Sequence, residues 1–270
     1  MSRQRRWLAN GLSQITTMSA IFILGLFLSA LIGLSLGLIG GGGSILTVPI
    51  LVYFLGVSPY EAVTMSLAVV GATSLLGAYL HHRQANVDLR TGVRFGAAGI
   101  VGAFLGAPLT RLVSPEALLM IFGVLMFVVA IAMIWRRKHQ LEDPVSVPHP
   151  AKGLAAGLGV GILTGFLGVG GGFLIVPALV FFGGITIKKA IGTSLFVIFL
   201  NCVAGLIGHL GQDAFSWGLT AVVIGLAVLG AFLGSMLSHR MAAHRLQSVF
   251  AVLVLGVGVF LVIKNYAIIF

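Results

Sequence analysis

Two glycine runs set inside long apolar sequence restrict this chain more than any other feature. The first, Gly37 to Pro49, holds Gly40, Gly41, Gly42, Gly43 and Ser44. The second, Gly165 to Pro177, holds Gly168, Gly170, Gly171 and Gly172. Each glycine costs a helix about 1 kcal/mol relative to alanine, so neither run sustains a continuous helix. Each is followed by a short apolar segment, 45–57 or 173–183, with Pro49 or Pro177 marking the structural break. At about 1.5 Å per residue such a segment falls well short of a hydrocarbon core about 30 Å thick. Interrupted backbone at membrane depth is tolerated only when it is packed in protein or lines a wet cavity. The amide-bearing start of a short helix, the positive end of its dipole, suits an anion.

The surroundings of these runs are those of a bilayer. The chain is 59% hydrophobic and 8% charged, against about 25% charged in soluble domains. Its apolar stretches are continuous rather than alternating, which fits helices and not a β-barrel. The formal charge of +10 belongs to basic residues clustered between spans, so positive cytoplasmic loops explain it without nucleic acid. The single cysteine, Cys202, excludes an intrachain disulfide. The apolar stretch from about 18 to 39 is too long for a signal-peptide core and reads as a retained membrane helix.

The expected fold is an all-α polytopic membrane protein. Its parts are a basic arm (1–17), a first membrane repeat (18–135), a polar linker (136–151), a second repeat (152–264) and a short end (265–270). Expected helices are 18–39, 45–57, 62–82, 92–113 and 116–135, then 152–168, 173–183, 188–209, 215–238 and 242–264. Each half thus holds about four full spans plus one short broken, re-entrant helix. The halves align without gaps at an offset of 128 residues. This register pairs Gly37 with Gly165, Pro49 with Pro177, Ala62 with Ala190, Ser66 with Ser194, Gly77 with Gly205 and His81 with His209. Paired, glycine-interrupted segments in two repeats are the pattern of secondary transporters, and the breaks point to the substrate site. Charge does not settle the orientation of the halves. Parallel repeats with an inside N-terminus and inverted repeats with an outside one each leave 11 of the 16 Lys and Arg cytoplasmic. Inverted repeats are preferred, because opposed half-helices then meet near the midplane.

The helix after each break carries a polar stripe: Ser66, Thr73, Gly77 and His81 in the first half, Ser194, Asn201, Gly205 and His209 in the second. Steps of seven, four and four keep each set on one face. Ser66, Thr73, Ser194 and Asn201 are candidates to complete an anion's shell, and His81 and His209 candidates for gating or proton transfer. Plainer readings stand beside these. Glycines permit close packing, hydroxyls bond the carbonyl one turn back, Asn201 can join helices, and the histidines can be structural. All six carboxylates fall in expected loops or at helix edges. No acidic proton relay or charged sodium site is therefore expected. The absence of catalytic constellations within the spans argues against an enzyme and implies no cofactor or metal.

With Gly40-Gly41-Gly42-Gly43-Ser44 to Pro49, Gly168-Val169-Gly170-Gly171-Gly172 to Pro177, and the duplication over about 25–264, the chain resembles the sulfite exporter TauE/SafE family. That family lies within the 4-toluene sulfonate uptake permease superfamily. The resemblance implies an inner-membrane permease for sulfite, sulfonates, sulfoacetate or other sulfur-containing organic anions. The expected function is therefore a secondary transporter, exporting such an anion from a site at the half-helix N-termini. An anion channel, an uptake permease and a non-transporting scaffold remain as alternatives. The expected partners are a small anionic substrate and the lipid bilayer, with a homo-oligomer left open.

Overall fold

The computed structural model describes residues 22–38, 41, 43–137, 150–168, 170–209, 216–238, 255–256 and 258–263. Gly40, Gly42, the arm 1–17, the end 265–270, the centre of the linker and most of the expected span 242–264 lie outside the described residues. Every regular element among the described residues is helical. They are α1 (Phe22–Leu38), α2 (Ser44–Tyr53), α3 (Pro59–Arg83), α4 (Leu89–Gly106) with a 3-10 extension (Ala107–Leu112), α5 (Pro115–Arg137), α6 (Pro150–Leu167), α7 (Gly172–Gly183), α8 (Ile187–His209) and α9 (Trp217–Ser238). A further helical stretch covers 258–263. Four of the helices are long and apolar enough to cross a membrane: Pro59–Arg83, Leu89–Leu112, Lys188–His209 and Trp217–Leu237. Large apolar side chains such as Phe27, Phe104, Leu229, Leu233 and Met236 face outward, as lipid-facing residues do.

The short helix α2 ends earlier than the apolar run suggests. Its last turn unwinds through a Val57 N–H to Leu51 carbonyl bond of 3.0 Å, with Gly56 at φ +69°. This is the wide bond and left-handed residue of a glycine C-cap. Ser58 then accepts from the Glu61 amide, and Pro59 opens α3, where its missing N–H costs nothing. Asp88 begins α4 in the same manner, its Oδ1 accepting from the Thr91 amide at 3.1 Å. Pro108 interrupts the α4 hydrogen-bond ladder, and the chain finishes as a tighter 3-10 helix.

The long helices pack in pairs that cross between the halves. Along α3 and α8, Gly71 lies on Cys202 and Gly77 on Leu195, while Gly192 lies on His81 and Gly205 on Leu67. Rising numbers on one helix meet falling numbers on the other, so the two are antiparallel. The pairs Gly77–Leu195 and Gly205–Leu67 exchange under the offset of 128.

Helices α4 and α6 run parallel in backbone contact, as do α1 and α9. A Cβ at Gly102 would stand 2.8 Å from the Ile162 nitrogen, and one at Gly230, 128 residues on, 2.8 Å from that of Leu34. Gly165 likewise backs onto Ala103 and Ala107, and Gly37 onto Ala231 and Ser235. Such approaches exclude any larger side chain, and small residues at four-residue spacing serve this purpose in membrane helices.

Basic residues mark one end of this bundle. The start of α4, the end of α3 and the start of α8 are joined there by the Asp88 N–H to Thr193 hydroxyl bond, 2.8 Å. The start of α6 and the end of α7 meet at Gly153 and Phe182. Of the nine described Lys and Arg residues, eight lie toward this end: Arg83, Arg90, Arg94, Arg136, Arg137, Lys152, Lys188 and Lys189. Arg111 alone lies at the other. There Glu61 accepts from the Ser216 hydroxyl (2.6 Å) and amide (3.1 Å), tying the starts of α3 and α9.

Candidate functional site

The two glycine breaks meet. A Cβ at Gly41 would stand 2.6 Å from the Gly172 carbonyl carbon, and one at Gly172 would stand 2.5 Å from the Gly41 Cα and from Ile198. Backbone therefore touches backbone where α2 and α7 begin. Ile198 lies midway along α8, which puts this junction at mid-depth in the bundle. From it α7 reaches only the basic end, where Gly183 lies on Thr91 at the start of α4.

Glycine is required at this junction for conformation as well as space. Gly170 and Gly171 have φ of +70° and +63°, in the left-handed region costly to residues with a Cβ. A Cβ at Gly170 would stand 2.7 Å from Val70, 3.1 Å from Ile198 and 3.4 Å from the Cys202 sulfur. The second break is thus wedged between α3 and α8. Gly43 folds back on Ile32 and Ser35 of α1.

Several amides at the breaks are already bonded. Leu46 N–H donates to the Gly43 carbonyl (3.1 Å), and those of Leu174 and Ile175 both donate to Gly171 (3.0 and 3.1 Å). The Ser44 hydroxyl donates to the Gly41 carbonyl at 2.8 Å.

The last carbonyls of a helix have no partner within it. At the end of α6 they are taken by side chains from three neighbouring segments. The Ser66 hydroxyl (α3) donates to the Gly168 carbonyl, and Thr110, from the 3-10 extension, to Phe166 at 2.8 Å. His209 (α8) bonds the Gly165 carbonyl through Nε2 at 2.8 Å. A carbonyl only accepts, so that nitrogen carries the proton. Ser66 and His209 came from the sequence stripe; Thr110 did not, since nothing in its surroundings reveals a contact 56 residues away.

The remaining stripe residues divide. Thr73 turns its hydroxyl onto its own helix, to the Val69 carbonyl (2.8 Å) and that of Val70 (3.0 Å). Ser194 donates to the Ile191 carbonyl at 2.7 Å. His81 is buried on Gly192. Asn201 is wholly buried, and neither amide atom has a hydrogen-bond partner. Its Oδ1 and Nδ2 press on Gly99 of α4, where a side chain would collide with them. Pro49 is buried inside α2, and Pro177 lies within α7.

Two residues outside the stripe share the condition of Asn201. The hydroxyls of Thr47, in the second turn of α2, and Ser74, in α3, are buried without a partner. Thr64, nearer the start of α3, is a third such hydroxyl. Burying an unbonded hydroxyl or amide costs about 1–3 kcal/mol. Sequence alone could not select these positions, because a lone Ser or Thr in a membrane helix ordinarily bonds its own backbone. Among the described residues no group of His, Cys, Asp and Glu is placed to hold a metal ion.

A model of the family described as Sulfite exporter TauE/SafE matches residues 24–261. A probable membrane transporter protein of Xylella fastidiosa strain 9a5c is 34% identical over 243 residues, covering 88% of this chain and 93% of that protein. One from strain Temecula1 / ATCC 700964 is 32% identical, with the same coverage. The probable membrane transporter protein YdhB of Bacillus subtilis strain 168 is 28% identical over 81% of this chain and 91% of its own. No solved structure matches.

Proposed function

The chain belongs to the sulfite exporter TauE/SafE family, and from that premise we propose that it exports a small sulfur-containing anion. It is a multi-pass membrane transporter; sulfite, sulfoacetate or another organosulfonate is the proposed cargo, and the cell inner membrane its place. One observation carries this proposal, the backbone contact of Gly41 with Gly172 at mid-depth. It brings the amide ends of two short helices together where an anion needs donors.

The organisation proposed is two inverted repeats, each with a re-entrant half-helix, α2 or α7. Antiparallel α3 and α8, with contacts that exchange under the offset of 128, support it, since equivalent helices of inverted repeats cross in opposite senses. Eight of nine described basic residues at one end support a cytoplasmic position for that end, with the start of α1 outside.

Three described carboxylates, Glu61, Asp88 and Glu116, stand at helix starts, away from the junction. Export then draws on the membrane potential, which favours expulsion of one negative charge by about 2.3 kcal/mol per 100 mV. Purified protein in liposomes loaded with radiolabelled sulfite tests this. Saturable, potential-accelerated efflux with counterflow is expected; flux without saturation or counterflow would identify a channel, and no flux would refute transport of this anion.

A further inference from the structure

At each end of the bundle a hydrogen-bonded tie joins a helix of the first half to a helix of the second. At the end away from the basic residues, Glu61 in the first turn of α3 accepts from Ser216, the residue before α9. It takes the Ser216 hydroxyl at 2.6 Å and the amide at 3.1 Å. At the basic end the amide of Asp88, the residue before α4, donates to the Thr193 hydroxyl of α8 at 2.8 Å.

The two ties occupy equivalent places. The offset of 128 carries Pro59, which opens α3, onto Ile187, which opens α8, and it carries Asp88 onto Ser216. Each tie therefore fixes the residue before one helix to the early turns of a helix from the other half. The facing residues are not equivalent. Glu61 corresponds to Lys189, which is exposed, and Thr193 lies one turn beyond Lys189. The same junction is closed twice with different chemistry, so the position recurs where the residue pair does not.

Inverted repeats expose a central site to each side by rocking one half against the other. That motion must lengthen bonds that join the halves. Bonds inside one half, such as those of Thr91 to the Asp88 carboxylate, travel with it. Both ties stand on the early turns of their helices, well away from the Gly41 and Gly172 contact at mid-depth, where a rocking motion displaces atoms most.

Resting on the transport reading and the inverted arrangement above, we propose that the Glu61–Ser216 and Asp88–Thr193 ties are the outer and inner latches of the transport cycle, released in turn as the anion passes. Both are formed here, the arrangement of a carrier closed at each end. A contact made only in the closed form favours that form by its own free energy, so its removal shifts the population toward opening at that end alone.

The test uses Cys202, the single cysteine of the chain, buried beside Gly170 at the junction. The probe is 2-sulfonatoethyl methanethiosulfonate, an anion that does not cross membranes. It is added to the outer face of spheroplasts or to the cytoplasmic face of inverted vesicles. The Cys202 thiolate attacks the thiosulfonate, forming a mixed disulfide and releasing methanesulfinate, and the adduct is followed by mass. Glu61→Ala is expected to raise labelling from the outer face alone, about 2- to 5-fold for an exposed pair. Thr193→Val is expected to raise it from the cytoplasmic face alone, roughly 3- to 10-fold for one neutral hydrogen bond. Glu61→Gln keeps an acceptor and should fall between the wild type and Glu61→Ala, with the Tm of the wild type. Labelling raised from both faces, as in a merely loosened bundle, would overturn the latches. So would unchanged labelling in either Glu61→Ala or Thr193→Val, or a rise from the opposite faces. Wild-type liposomes that pass no sulfite would refute the proposed cargo, a result on which the labelling does not depend.

Discussion

His209 holds the carbonyl of Gly165 at 2.8 Å across 44 residues, fixing the end of α8 to the helix that leads into the second glycine break. The bond is buried and serves a carbonyl that the end of α6 leaves over. His209→Ala is expected to destabilise the protein by about 1–3 kcal/mol, read as a lowered Tm in detergent. His209→Gln, which restores a donor, should recover part of the loss. An unchanged Tm in His209→Ala would show that the bond does not support the break.

The contact of Gly99 with the Asn201 carboxamide predicts a coupled pair. Gly99→Ala drives a methyl group into Oδ1 and should cost about 1–3 kcal/mol by overpacking. In an Asn201→Ala background the same change should be nearly neutral, because the obstructing amide is gone. A double-mutant cycle of unfolding free energies measures the coupling; strict additivity would contradict the packing described.

The asymmetry of charge predicts the topology. In a Cys202→Ser background, Lys188→Cys should react with a membrane-impermeant maleimide only when the cytoplasmic side is open. Leu112→Cys, 80% exposed at the opposite end, should react in intact spheroplasts. The reverse pattern would invert the orientation and the direction of the potential relative to the repeats.

Much of this architecture was legible in the residues. The glycine runs placed the breaks, and the helices from α3 to α9 fell close to where they were expected. The register of 128 recurs as contacts in space, Gly77 on Leu195 and Gly205 on Leu67. Charge alone could not choose between parallel and inverted halves, since loops were assigned to sides only by counting spans. The antiparallel contacts of α3 with α8 support the inverted arrangement proposed above. Hidden altogether was the cross-packing of α4 on α6 and α1 on α9. Glycines such as Gly102 and Gly161 read as weak helix positions until backbone from the other half is seen against them.

The hydrogen bonding of the polar side chains was the least legible part. A polar stripe on one face does not reveal which hydroxyls are already bonded to carbonyls. Ser66 looks like Ser74 in sequence, yet the first donates to Gly168 and the second has no partner. Thr47 is set apart from Ser44 in the same way, for Ser44 closes on Gly41. Only the path of the backbone through the break distinguishes them.

The meeting of the breaks is tested most directly by sulfite counterflow in liposomes containing Gly172→Val. The added side chain must enter the space held by Gly41 and Ile198. The variant is expected to insert into the membrane and to show no counterflow, against saturable counterflow in the wild type. Wild-type counterflow in Gly172→Val would contradict an anion site at this junction.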